Sequence, residues 1–98
     1  MTLDEFRTTL KSDAPPDTMA PLLAALWWDA KGDWEAAHRL AQDIEDEHGS
    51  WVHAYLHRKE GDAANAGYWY RRARRPHSHA SLEDEWEEIT TALLSHDG

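Results

Sequence analysis

Cysteine is absent from this 98-residue chain. That excludes disulfides, thiolate metal centres and cysteine nucleophiles. A small chain without disulfides suits a reducing compartment, and a cytoplasmic setting is expected. No apolar run approaches the ~20 residues that a membrane span needs. The longest, Ala20 to Trp28, has nine residues and contains Pro21. The first ten residues carry Asp4, Glu5 and Arg7 in place of an apolar segment, so no secretory leader is expected. Glycine and proline are few, and no glycine-rich phosphate loop occurs. Strand-type alternation of useful length is missing too. Positive charge is also scarce: ten Lys and Arg stand against 19 Asp and Glu, a formal net charge of −9. Such a charge repels nucleic acid and anionic membranes, and neither is expected as a partner.

What remains is rich in helix signals and in tryptophan. Six tryptophans give a small core much buried area per residue. Thr2 and Glu5 form a T-x-x-E capping box before Leu3, Phe6 and Leu10, which predicts a helix over about 3–12. The two prolines of Asp13-Ala-Pro-Pro-Asp17 end it. Pro21 suits a first helical turn, and Leu22, Leu23, Leu26, Trp27 and Ala30 recur at helical spacing as far as Gly32. Asp33 is expected to cap a third helix with Trp34, Ala37, Ala41 and Ile44 on one face, fraying through the acidic run 43–47 and closed by Gly49. Ser50 is expected to cap a fourth over 51–60, and Asp62 a fifth from Ala63 to about Arg75. Ser81 with Asp84 or Glu85 opens a sixth over about 82–95.

A shift of 29 residues superposes two units. Gly32-Asp33 falls on Gly61-Asp62, Ala37 on Ala66, Ala41 on Tyr70, Ile44 on Ala73 and Ala25 on Ala54. Each unit is helix, Gly-Asp turn, helix, and two such hairpins must stack to bury their apolar faces. Gly32-Asp33-Trp34 followed by Ala37 and Ala41 resembles the tetratricopeptide repeat. Ala66-Gly-Tyr-Trp-Tyr-Arg-Arg-Ala73 is similar to the second helix of Sel1-like repeats. The resemblance covers about 21–76, with a period of 29 against the usual ~34. Unit two has Ala63 where unit one has Trp34, and His57 where it has Trp28. The expected fold is all-α: a single domain over 1–98, either a short array of helical hairpins (units about 21–47 and 51–75) or a compact bundle of five to six helices. The helices at about 3–12 and 82–95 flank the units.

The resemblance implies a module that binds a protein or peptide on the inner faces of its first helices. In unit two those positions are Trp51, Tyr55, Arg58 and Lys59. Aromatic and arginine residues are enriched at interface anchors, although Trp51 and Tyr55 suit a core equally well. Tyr68, Arg71 and Arg72 add a basic, aromatic stretch suited to an acidic partner; the acidic run 83–88 offers an internal alternative by packing back. Replacing Arg58 and Arg72 with Glu is expected to abolish binding and leave the fold intact. His53 and His57 stand at i, i+4 on one helix face, a spacing that suits a divalent metal if His38, His48 or an acidic residue supplies a third ligand. Packed or solvated histidines are the plainer alternative, so no metal or cofactor is expected. No nucleophile stands beside a base, and no pair of carboxylates lies in unlike surroundings, so no enzyme is expected. The functional expectation is an interaction module without defined chemistry, with a small-molecule or metal pocket around His53 and His57 as the alternative. Homodimerisation stays open.

Overall fold

Each Gly-Asp dipeptide closes one helix and opens the next. Gly32 and Gly61 take φ of 89° and 90°, the left-handed region that a side chain disfavours. There the Gly32 amide donates to the Asp29 carbonyl and the Asp33 amide to the Trp28 carbonyl, the two bonds of a Schellman end. Gly61 to Arg58 and Asp62 to His57 repeat the pattern. The aspartates then turn round: Asp33 accepts from the Ala36 amide and Asp62 from the Asn65 amide, capping the following helices.

The structure, a computed structural model, describes residues 1–97 and the side chains of residues 1–95. The helices are α1 (Leu3–Thr9), α2 (Pro21–Ala30), α3 (Trp34–Gln42), α4 (Glu47–Lys59), α5 (Ala63–Arg72) and α6 (Leu82–Asp97), with no strand among the described residues. The fold is therefore all-α, a six-helix bundle. Hairpins α2–α3 and α4–α5 stack through α4, which packs on both α2 and α3. The last helix lies against α2 and α4, and α1 packs on α6. Phe6, Leu26, Trp27, Val52, Leu56 and Ile89 are fully covered, and each such burial stabilises by about 1.5–3 kcal/mol. No helix among the described residues is long and apolar enough to cross a membrane.

The capping box at Thr2 and Glu5 forms as expected, and Pro21 opens α2. The boundary between the third and fourth helices differs. The third ends at Gln42, and the fourth starts at Glu47, capped by Asp46, whose carboxylate accepts from the Gly49 amide at 2.7 Å. Acid is favoured at a helix N-terminus and opposed at a C-terminus, so the run 43–47 serves the start of α4 rather than the end of α3. Ser50 consequently lies inside the helix, and its hydroxyl has no partner among the described residues. The fifth helix stops at Arg72 rather than Arg75, because Arg74 adopts φ 59° and closes it with a third Schellman end, Arg75 amide to Tyr70 carbonyl.

Arg74 thus occupies a position where the other two hairpin helices use glycine. The left-handed conformation costs a side-chain-bearing residue about 1–2 kcal/mol. Its pair with Glu47, at 3.4 Å, is open to solvent on both sides and contributes almost nothing. Arg74→Gly is expected to stabilise the fold by about 0.5–1 kcal/mol, since glycine's added freedom when unfolded offsets part of the gain. Urea unfolding checks this, and a destabilised variant would contradict it.

Candidate functional site

The stripe Trp51, Tyr55, Arg58, Lys59 does share one face of α4, and two buried carboxylates meet it. Asp29, 2% exposed at the end of the apolar α2, accepts from the Tyr55 hydroxyl at 2.7 Å and from Lys59 Nζ at 2.8 Å. Glu85, 1% exposed on α6, accepts from Trp51 Nε1 at 3.2 Å, Arg58 Nε at 3.0 Å and the Tyr70 hydroxyl at 2.7–2.8 Å. Burial, with the neighbouring carboxylates, pushes both tyrosine hydroxyls far above their ordinary range, so they act as donors. Trp51 and Tyr55 are each 2% exposed, and the Arg75 guanidinium covers the Trp51 ring at 3.3 Å. These two aromatics belong to the core and do not form an open face. Arg58 is half-enclosed against Glu85, so Arg58→Glu would set a second carboxylate beside a buried one. It is therefore not the fold-neutral substitution that the sequence suggests.

Lys59 reaches solvent along one side of a groove of about 480 Å³, lined also by Arg7, Leu10, Asp29, Tyr55, Leu82 and Trp86. Trp86 anchors the floor: its indole N–H donates to the Leu26 carbonyl at 3.0 Å, and its ring meets Phe6. The remaining predicted partner residues sit elsewhere. Tyr68, Arg71 and Arg72 lie exposed on the outer face of α5, with Tyr68 44% open. Arg72 donates to the Tyr68 hydroxyl at 3.1 Å, and its guanidinium lies 5.1 Å from the Trp69 ring centre.

The histidines form a separate constellation where α3, α4 and α5 meet. His53 and His57, one turn apart on α4, are joined by His38 from α3. One ring nitrogen of each lies within 4.8 Å of the others. His38 Nε2 faces His53 Nε2 at 3.0 Å. His57 Nδ1 meets Glu60 Oε2 at 2.6 Å. Tryptophans wall the cluster: Trp34 stacks on His38 at 4.8 Å and Trp69 on His53 at 3.9 Å. The Trp34 indole N–H is tied to the Leu56 carbonyl, which fixes that wall to α4. Burial pushes the His53 imidazole down to about 4, helped by the His38 and His57 charges. Burial, then His57, lowers His38 as well. Both rings are therefore neutral at pH 7, with a lone pair on each.

Asp29 and Glu85 escape a reading by sequence pattern. Asp29 is the one charge inside an otherwise apolar helix, which was its available signal. Glu85 stands in the acidic run 83–88, which the sequence offers only as packing back on the arginines of the fifth helix; that this residue reaches Arg58 depends on how α6 crosses α4. His38 emerges from the sequence only as one of several possible third ligands.

No protein-family model, no curated protein and no solved structure matches this chain.

Proposed function

We propose that the chain is a non-enzymatic binding module of the tetratricopeptide-like kind, acting in the cytoplasm and holding an acidic peptide segment of a partner protein on α5. The observation that carries this is the exposed Tyr68–Arg72 pair on a chain of net charge −9. Tyr68 is the most exposed tyrosine or tryptophan among the described residues, and its ring offers a partner a large, rigid contact area with a polar tip. The hydrogen bond to Tyr68 and the stacking near Trp69 orient the Arg72 fork, which then presents its remaining donors to a carboxylate. Arg71 extends the patch. The net charge of −9 repels acid at long range, so attraction acts only within about a Debye length, ~8 Å, and selects the docking orientation. The α4 stripe that the resemblance implies as the peptide face is occupied by Asp29 and Glu85 of the chain itself, which favours α5 instead.

The test is fluorescence anisotropy with a labelled Asp/Glu-rich peptide. Binding is expected to weaken steeply with salt, and Tyr68→Ala with Arg72→Glu is expected to raise Kd at least about tenfold. Because both side chains lie outside the core, the melting temperature should hold. Equal affinity of the variant would overturn the proposal. So would binding of single-stranded RNA in place of the peptide. A mass that doubles with concentration, and reverts in the same variant, would make a second copy of this acidic chain the occupant instead.

A further inference from the structure

We propose that His38, His53 and His57 form a binding site for a divalent transition ion of the zinc class. Three imidazoles from two helices converge, and imidazole without thiolate suits zinc, copper, nickel or iron rather than calcium or magnesium. Three imidazole nitrogens and a water would complete a four-coordinate zinc. The plainer view, a packed histidine cluster, leaves a difficulty. His38 Nε2 and His53 Nε2 face one another at 3.0 Å, and one must donate while the other accepts. A nitrogen of the third ring, His57, lies within 4.8 Å of that pair, so three imidazoles crowd one space in which a single hydrogen bond joins two of them.

The contact of His57 Nδ1 with Glu60 is the second, independent indication. Metal-bound histidines commonly donate their other N–H to a carboxylate, which sets the tautomer and raises the basicity of the ligating nitrogen. With Nδ1 held by Glu60, Nε2 is the nitrogen left for the ion. The walls help as well. Trp34 and Trp69 stack flat on His38 and His53, so two of the rings are restrained before an ion arrives.

Because His38 lies in the first hairpin and the other two ligands in the second, an ion there clamps the hairpins together. Its effect on stability is thus a direct readout. The facing nitrogens, 3.0 Å apart, are near the ~3.3 Å spacing of tetrahedral zinc ligands, and the three-nitrogen set, spread within 4.8 Å, draws in to admit the ion.

The experiment uses the full chain stripped with a chelator and then given zinc alone. Calorimetric titration is expected to give one ion per chain. At free zinc a hundredfold above Kd, the melting temperature should rise by about 10–20 °C. Cobalt in place of zinc should give the intense visible spectrum of a four-coordinate ion. His38→Ala is expected to weaken zinc binding at least tenfold. Glu60→Gln, which leaves all three ligands in place, should weaken it about 10–100-fold. His79→Ala, outside the cluster, should change nothing. The metal-free melting temperature of each variant is read alongside, so a folding defect is not mistaken for lost binding. Absence of stoichiometric zinc, or affinity that survives both His38→Ala and Glu60→Gln, would overturn the proposal and leave the cluster as packing.

Discussion

Glu85→Leu is expected to lower the unfolding free energy by about 3–5 kcal/mol, the usual cost of removing one partner from a buried ionic network. Leucine fills the same space but accepts nothing. The Trp51 indole N–H, the Tyr70 hydroxyl and the Arg58 guanidinium all lose their acceptor at once. Arg58 keeps some contact with water and can swing outward, whereas the Trp51 and Tyr70 groups lie too deep to find it. A domain of this size has a total stability of about 5–15 kcal/mol, so the loss is a large share of it. The melting temperature should fall by roughly 15–30 °C. Glu85→Gln should fall between: one carbonyl oxygen still accepts, but the amide nitrogen faces donors. Chemical denaturation of the three proteins checks the order. A loss under about 1 kcal/mol for Glu85→Leu would mean that α6 is held by its apolar face alone.

The second large effect reverses a common rule. Gly→Ala inside a helix ordinarily stabilises by about 1 kcal/mol. At Gly49 the new methyl would sit 1.8 Å from the Ile44 carbonyl oxygen and 2.9 Å from its Cγ2. Backbone is what it meets, so no side chain can swing away. The loop 43–46 must move or the first turn of α4 must open, and Gly49→Ala is expected to destabilise by about 3 kcal/mol, the upper part of the overpacking range. Gly67 supplies the control. A methyl there touches only Arg71 and His77 nitrogens at 3.7 Å, an ordinary contact. Gly67→Ala should stabilise α5 by about 0.5–1 kcal/mol. Thermal unfolding of the two variants should therefore move in opposite directions. The same sign in both would refute the close approach at Gly49.

Gly49 also marks where the sequence misleads. Its neighbours Gly-Ser look like a stop and a cap, and nothing local reveals that Asp46 caps the helix one turn earlier. The deciding term is electrostatic and cumulative, since acidic residues 43–47 stabilise the start of α4 more than Ser50 does. The Gly-Asp turns were legible because one dipeptide supplies both the left-handed glycine and the capping carboxylate. Arg74 was not, because only the geometry of α5 against its neighbours puts an arginine in the glycine position. The same division runs through the sites. Helical spacing places Trp51, Tyr55, Arg58 and Lys59 on one face, but which partner fills that face depends on Asp29 and Glu85, 26 and 27 residues distant along the chain from Tyr55 and Arg58 respectively. Likewise, i, i+4 spacing pairs His53 with His57, while His38 joins them only through the stacking of α3 on α4.

The most direct measurement is a nitrogen–proton correlation spectrum of the full chain titrated with the acidic peptide, read at the six tryptophan indole N–H groups and along α5. Shifts confined to Tyr68, Arg71, Arg72 and the Trp69 indole are expected, with the Trp51 and Trp86 indoles still held by Glu85 and Leu26. Movement of the Trp51 and Trp86 resonances, with α5 unchanged, would contradict this. It would mean that the partner displaces α6 and takes the α4 face that the chain otherwise fills itself.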